Sequence, residues 1–177
     1  SDVPTNQGFP YSCTVSVTTG TAYGVIKQKI ESANCQDLPS QNATLSFWVK
    51  NLTGSTSMTA VLYYANSADN FNGGVTSISS QSFTAVLNTW TKFTFNYTNL
   101  PAGASNGLQV YVFSADASVA PSYRFTGCQF EVSNQATSFD YRPYGTELAL
   151  CQRYYYQITS ITNYFYPFDA SDGLRVQ

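Results

Sequence analysis

The groups that could do chemistry in this 177-residue chain are ten carboxylates, four cysteines and a large stock of aromatic rings; histidine is absent. Without histidine the commonest general base is missing, and Ser-His and Cys-His nucleophile pairs are excluded. Glycoside hydrolysis needs only two carboxylates. Asp37, Asp69, Asp116 and Asp172, however, fall in predicted loops, where solvated turn residues are common. Glu131 is the one acid inside a strong predicted strand, and an outward, solvated side chain is the expected placement there. The chain reads as non-enzymatic, with no catalytic residues.

Cys13, Cys35, Cys128 and Cys151 show no C-x-x-C spacing, and no histidine is present to complete a zinc site. No clustered acidic loop suggests calcium. The reading is therefore no metal and no cofactor. The four cysteines could form two disulfides in three ways. The competing reading is of small buried residues, with Cys13, Val15 and Val17 on one strand face and Cys151 on a helical stripe.

Binding is the chemistry the aromatic residues favour. Ring faces stack on the apolar faces of pyranose sugars, while Asn, Gln or Asp side chains nearby read the hydroxyls. Trp48, Tyr63 and Tyr111 are the glycan-binding candidates, because each stands off the core phase of its strand. Trp48 and Tyr63 would share one outward face if their strands pair.

The elements that must position these rings are strands. Cys13–Thr18 alternates with period two, and Tyr23–Ile30 follows with two mixed faces. Thr44–Lys50 sends Leu45, Phe47 and Val49 to the core and Ser46, Trp48 and Lys50 to the other side. After a turn at Asn51–Gly54, Met58–Tyr64 reads as its antiparallel hairpin partner. Val75–Phe83, Trp90–Tyr97, with Phe93, Phe95 and Tyr97 on one face, and Leu108–Phe113 continue the series. Tyr123–Val132 closes it, with a change of phase near Gly127 that predicts a bulge. Many short strands without a long helix between them predict an all-β antiparallel sandwich.

Composition agrees. Aromatic residues make up 16% of the chain and charged residues 10%, the latter well below the average of about 25%. Too much apolar area is available for a disordered chain. Eight scattered basic residues against ten acidic ones leave a net charge of −2, which argues against nucleic acid as a partner. No apolar run approaches the roughly 18 residues of a membrane span.

Near the C-terminus, Pro143 biases Arg142 towards extended geometry. Gly145 permits a turn, Thr146 is an acceptable helix N-cap and Glu147 suits the first turn. Leu148, Cys151 and Tyr155 follow at helical spacing as an apolar stripe, and are the candidate oligomer contacts. Two or three turns of helix are too few to stand alone in water, so the stripe must pack on the sandwich or on copies of itself.

The string Phe139-Asp140-Tyr141-Arg142-Pro143-Tyr144-Gly145-Thr146-Glu147-Leu148-Ala149-Leu150-Cys151-Gln152-Arg153-Tyr154-Tyr155 closely resembles a boundary segment of tail-fibre-like and other virion proteins of bacteriophages. Leu45-Ser46-Phe47-Trp48-Val49, Thr89-Trp90-Thr91-Lys92-Phe93 and Gln129-Phe130-Glu131-Val132 resemble signatures of carbohydrate-binding-module-like jelly rolls that precede that boundary. The resemblance implies a jelly-roll module over residues 1–143, lacking an N-terminal strand present in a longer polypeptide. Residues 144–177 would be a linker helix and the start of a further β segment. It also implies a virion setting on the particle exterior, a homotrimer contacting other virion proteins, host-surface glycan as ligand, and thiols kept reduced during cytoplasmic assembly. The alternatives are a carbohydrate-binding module of a secreted bacterial hydrolase and a ligand-free capsid decoration protein.

Overall fold

Among the described residues, alternation of apolar and polar side chains makes eight strands, and burial of the apolar phase stacks them in two layers. A computed structural model describes residues 2–17, 24–54, 57–114 and 120–152. The strands are β1 (Cys13–Ser16), β2 (Val25–Ile30), β3 (Ala43–Asn51), β4 (Ser57–Ala65), β5 (Val75–Thr84), β6 (Trp90–Tyr97), β7 (Leu108–Ser114) and β8 (Ser122–Glu131). One sheet runs β1-β8-β3-β6 and the other β2-β7-β4-β5, with every neighbouring pair antiparallel. Among the described strands only β4 and β5 follow one another within a sheet. The rest alternate between layers, which is the jelly-roll order. The all-β sandwich expected from the sequence is the observed fold.

The predicted hairpin of β3 with β4 is not. β3 lies between β8 and β6, while β4 lies between β7 and β5 in the opposite sheet. The two strands face each other across the core. Residues 52–56 between them suffice to cross the roughly 10 Å separating packed sheets. Facing buries both apolar phases at once: Leu45, Phe47, Val49, Ala60 and Leu62 are all fully buried.

Phe47 sits at the centre of this core. Its ring centroid lies 4.8 Å from that of Phe125, 5.6 Å from Phe95, 5.7 Å from Phe83 and 6.4 Å from Phe93. Such tilted and edge contacts add to the burial energy of each ring.

The bulge expected near Gly127 is present. Ser46 pairs with Gln129 and Trp48 with Thr126, so Gly127 and Cys128 together oppose Phe47. Gly127 has φ of +60°, and a Cβ there would collide with the buried ring of Phe9.

The chain divides into two compact units, Ser1–Phe139 and Asp140–Gln177. In the second unit, helix α1 spans Tyr144–Gln152. It begins earlier than expected, because the N–H groups of Thr146 and Glu147 both donate to the carbonyl of Pro143, at 3.0 and 3.1 Å. Pro143 therefore takes the capping position and Thr146 lies inside the first turn. A proline there wastes no donor, since its missing N–H is one that a helix start leaves unused. Glu147 lies in the first turn, and its 3.7 Å pair with exposed Arg142 contributes little.

Candidate functional site

Strands β4 and β7 run side by side at the middle of their sheet and split their residues between two faces. Leu108, Val110 and Val112 of β7 and Met58, Ala60 and Leu62 of β4 are buried in the core. The alternate residues, Gln109, Tyr111 and Phe113 with Thr59, Val61 and Tyr63, point away from it. Tyr111 stands across from Val61 and Tyr63 across from Gln109, which makes the two tyrosines diagonal neighbours. Their ring centroids are 6.2 Å apart with planes at 85°, and Phe113 extends the row, 5.5 Å from Tyr111. Thr59, Val61 and Gln109 are buried, whereas the three rings stay part-exposed.

The flanks of this row differ. On the β5 side Ser77, Ser80 and Ser82 stand across from Tyr63, Val61 and Thr59, and all three are exposed. On the β2 side Lys27 stands across from Tyr111 and Lys29 across from Gln109, both exposed. Lys29 places its ammonium 5.0 Å from the ring centroid of Phe71. The face thus offers rings for stacking, with hydroxyls on one side and ammonium donors on the other.

The structure brings Tyr63 and Tyr111 together and separates Trp48 from both. Trp48 belongs to β3 in the other sheet, where it stands across from Lys92 and Thr126. The expected shared face of Trp48 and Tyr63 fails for the same reason as the hairpin: the two strands oppose each other instead of pairing.

Segments of the protein's own chain bond to parts of the outer side of that other sheet. Asp2 accepts hydrogen bonds from Lys50 Nζ at 2.8 Å and Trp90 Nε1 at 2.9 Å, and also pairs with Arg124. Hydrogen bonds from Lys50 and then Trp90, aided by the charges of Lys50 and Arg124, outweigh burial and hold the Asp2 carboxyl below its usual range. Thr126 donates to the Tyr11 carbonyl at 2.8 Å, and Phe9 packs over Gly127. At the other end of this sheet Thr44 donates to the Ser133 carbonyl at 2.8 Å, and Thr44 and Ser46 are buried although they face outward.

Two carboxylates considered for acid–base work serve as local acceptors. Asp69 accepts from the N–H and the hydroxyl of Ser32, both at 2.7 Å, and these bonds lower its pKa. Glu131 accepts from Thr137 N–H at 2.9 Å, Thr137 Oγ1 at 2.8 Å and Gln129 Nε2 at 3.0 Å. Burial acts against its charge, but these bonds and the nearby Lys92 leave its pKa lowered. Neither is held in the protonated form that a general acid needs near neutral pH. Among the described residues no cluster of three potential metal ligands occurs.

Cys13 is exposed and Cys35 buried, so the expected burial of the cysteines holds for one and fails for the other. Both carry free thiols, as does Cys128, whose thiol burial pushes up to about 11. Leu148 is 40% exposed on α1. The Cys151 side chain and Tyr155 lie outside the described residues.

Phe113, Lys27 and Lys29 were not singled out in the sequence. Phe113 could have been found from its place two residues beyond Tyr111, in the same strand phase. The lysines become meaningful only once β2 is known to lie beside β7.

No family model matches the chain, and no curated protein matches it. Solved structures do resemble it. One is the enzymatically active domain of tailspike protein 4 of bacteriophage CBA120, at 19% identity and a TM-score of 0.55. The match covers 75% of this chain but only 17% of that one. A CBM4 structure matches at 19% identity and a TM-score of 0.49, over 69% of this chain and 71% of that one. The CBM22-1 xylan-binding domain of Paenibacillus barcinonensis Xyn10C matches at 17% identity and a TM-score of 0.45, over 76% and 81% of the two chains.

Proposed function

We propose that this chain is a sugar-binding module of a bacteriophage virion appendage, acting by surface complementarity and without turnover. The observation that carries the sugar-binding part is the contact of Tyr63 with Tyr111 on a face flanked by serine hydroxyls and lysine ammonium groups. Rings locked by each other lose little freedom on stacking against a pyranose, which favours binding.

The virion setting is supported by the boundary string from Phe139 to Tyr155. The jelly roll also has the fold of part of a phage tailspike. In this reading the module sits on the particle exterior and attaches to host-surface glycan. Leu148, Cys151 and Tyr155, apolar at helical spacing in the sequence, join it to two further copies in a homotrimer.

The test is retention of the 177-residue chain on a panel of immobilised bacterial polysaccharides. Retention that Tyr111→Ala and Tyr63→Ala both abolish supports the proposal. Retention insensitive to both variants, or none on any polysaccharide, overturns the sugar-binding part. Release of reducing ends would overturn the absence of turnover, and a monomeric mass would overturn the trimer.

A further inference from the structure

The charges of the β2-β7-β4-β5 sheet do not follow those of the whole chain. Acidic residues outnumber basic ones ten to eight overall, yet the four strands of this sheet contain Lys27 and Lys29 and no Asp or Glu. Both lysines lie on the side that carries the aromatic row. Basic residues on the strands of the other sheet have carboxylates close by: Lys50 and Arg124 pair with Asp2, and Glu131 feels the charge of Lys92.

Lys27 is different. Among the described residues it makes no ion pair, and it stands across from Tyr111, at the rings themselves. Glu31, the nearest acid along the same strand phase, is four residues on, roughly 13 Å away in an extended chain. A neutral sugar seated on Tyr63 and Tyr111 would partly cover the Lys27 ammonium and supply only hydroxyls in return. A carboxylate or sulfate on the sugar would supply the opposite charge.

We infer that the face selects anionic glycans, with Lys27 pairing with the acid group of a sugar stacked on Tyr111 and Lys29, steadied by Phe71, engaging the next along the chain. This inference rests on the sugar-binding reading and names the ligand class for it.

The test uses the whole chain with two matched pairs of probes: polygalacturonate against its methyl ester, and dextran sulfate against dextran. Methylation and removal of sulfate keep each backbone and delete its charge. The expected result is retention on at least one anionic member, weakened about fivefold by Lys27→Gln and reduced further by added salt. Lys92→Gln, on the outer side of the other sheet, should change nothing. Polygalacturonate retention points to a carboxylate and dextran sulfate retention to a sulfate; either supports the inference. Tyrosine-dependent retention equal on the charged and uncharged members overturns charge selection and leaves sugar binding standing. No retention on any of the four overturns the inference, and the wider polysaccharide panel then decides whether sugar binding falls with it.

Discussion

Tyr111 meets Tyr63 edge-on, with centroids 6.2 Å apart and planes at 85°, across two strands that are not adjacent in the chain. Each ring fixes the other. The contact also ties the stability of the sheet to the binding proposed for this face.

Removing Tyr111 should therefore have two separable effects. Tyr111→Ala loses ring contacts to Tyr63 and Phe113, and because the ring is part-exposed the stability cost should be about 1–2 kcal/mol in urea unfolding. Glycan retention should fall at least about tenfold, the equivalent of one lost stacking contact. Tyr111→Phe should keep most of both.

Trp48→Ala should leave glycan retention unchanged. Trp48 lies on the opposite sheet from Tyr63 and Tyr111. Loss of retention in a variant that still shows the wild-type unfolding midpoint would contradict the assignment of the binding face.

Asp2 should make stability depend on pH. Its carboxyl is held below the usual range in the folded protein, so its contribution is present above the unfolded carboxylate pKa and lost as pH falls through the lower folded value. Asp2→Asn should cost no more than about 1 kcal/mol at neutral pH, since the site is partly solvated. In strong acid the two proteins should unfold at the same urea concentration. A gap that persists or widens in acid would show that the charge of Asp2 is not what holds the segment.

Gly127→Ala should destabilise by about 2 kcal/mol, from the positive φ and from the Phe9 ring that the new methyl group meets. Phe9→Ala should cost less in the Gly127→Ala background than in the wild type, because it removes the collision. Additive thermal shifts for the pair would rule out that contact.

Alkylation should separate the cysteines. Cys13 is exposed, whereas Cys35 is buried and the Cys128 thiol is raised to about 11. In the folded protein at neutral pH, peptide mapping should find Cys13 labelled well before Cys35 and Cys128. Equal labelling in denaturant would confirm that folding, and not the reagent, sets the order.

Much of the fold was legible in the residues. The period-two phase of Leu45, Phe47 and Val49 predicted their burial, and that of Gln109, Tyr111 and Phe113 carries the outer row. The change of phase at Gly127 located the bulge. Phase is local: successive side chains alternate across a strand whatever its neighbours are. Which strands become neighbours is not local. An apolar phase on β3 and another on β4 are buried equally well side by side over a common core or face to face across it, so nothing in either strand selects between the two arrangements. The closing of both sheets around Phe47 made that choice. It placed Trp48 in the sheet opposite Tyr63 and Tyr111, and it set Tyr63, Tyr111 and Lys27 on one face although 84 residues separate the first and last of them in the chain (111 − 27).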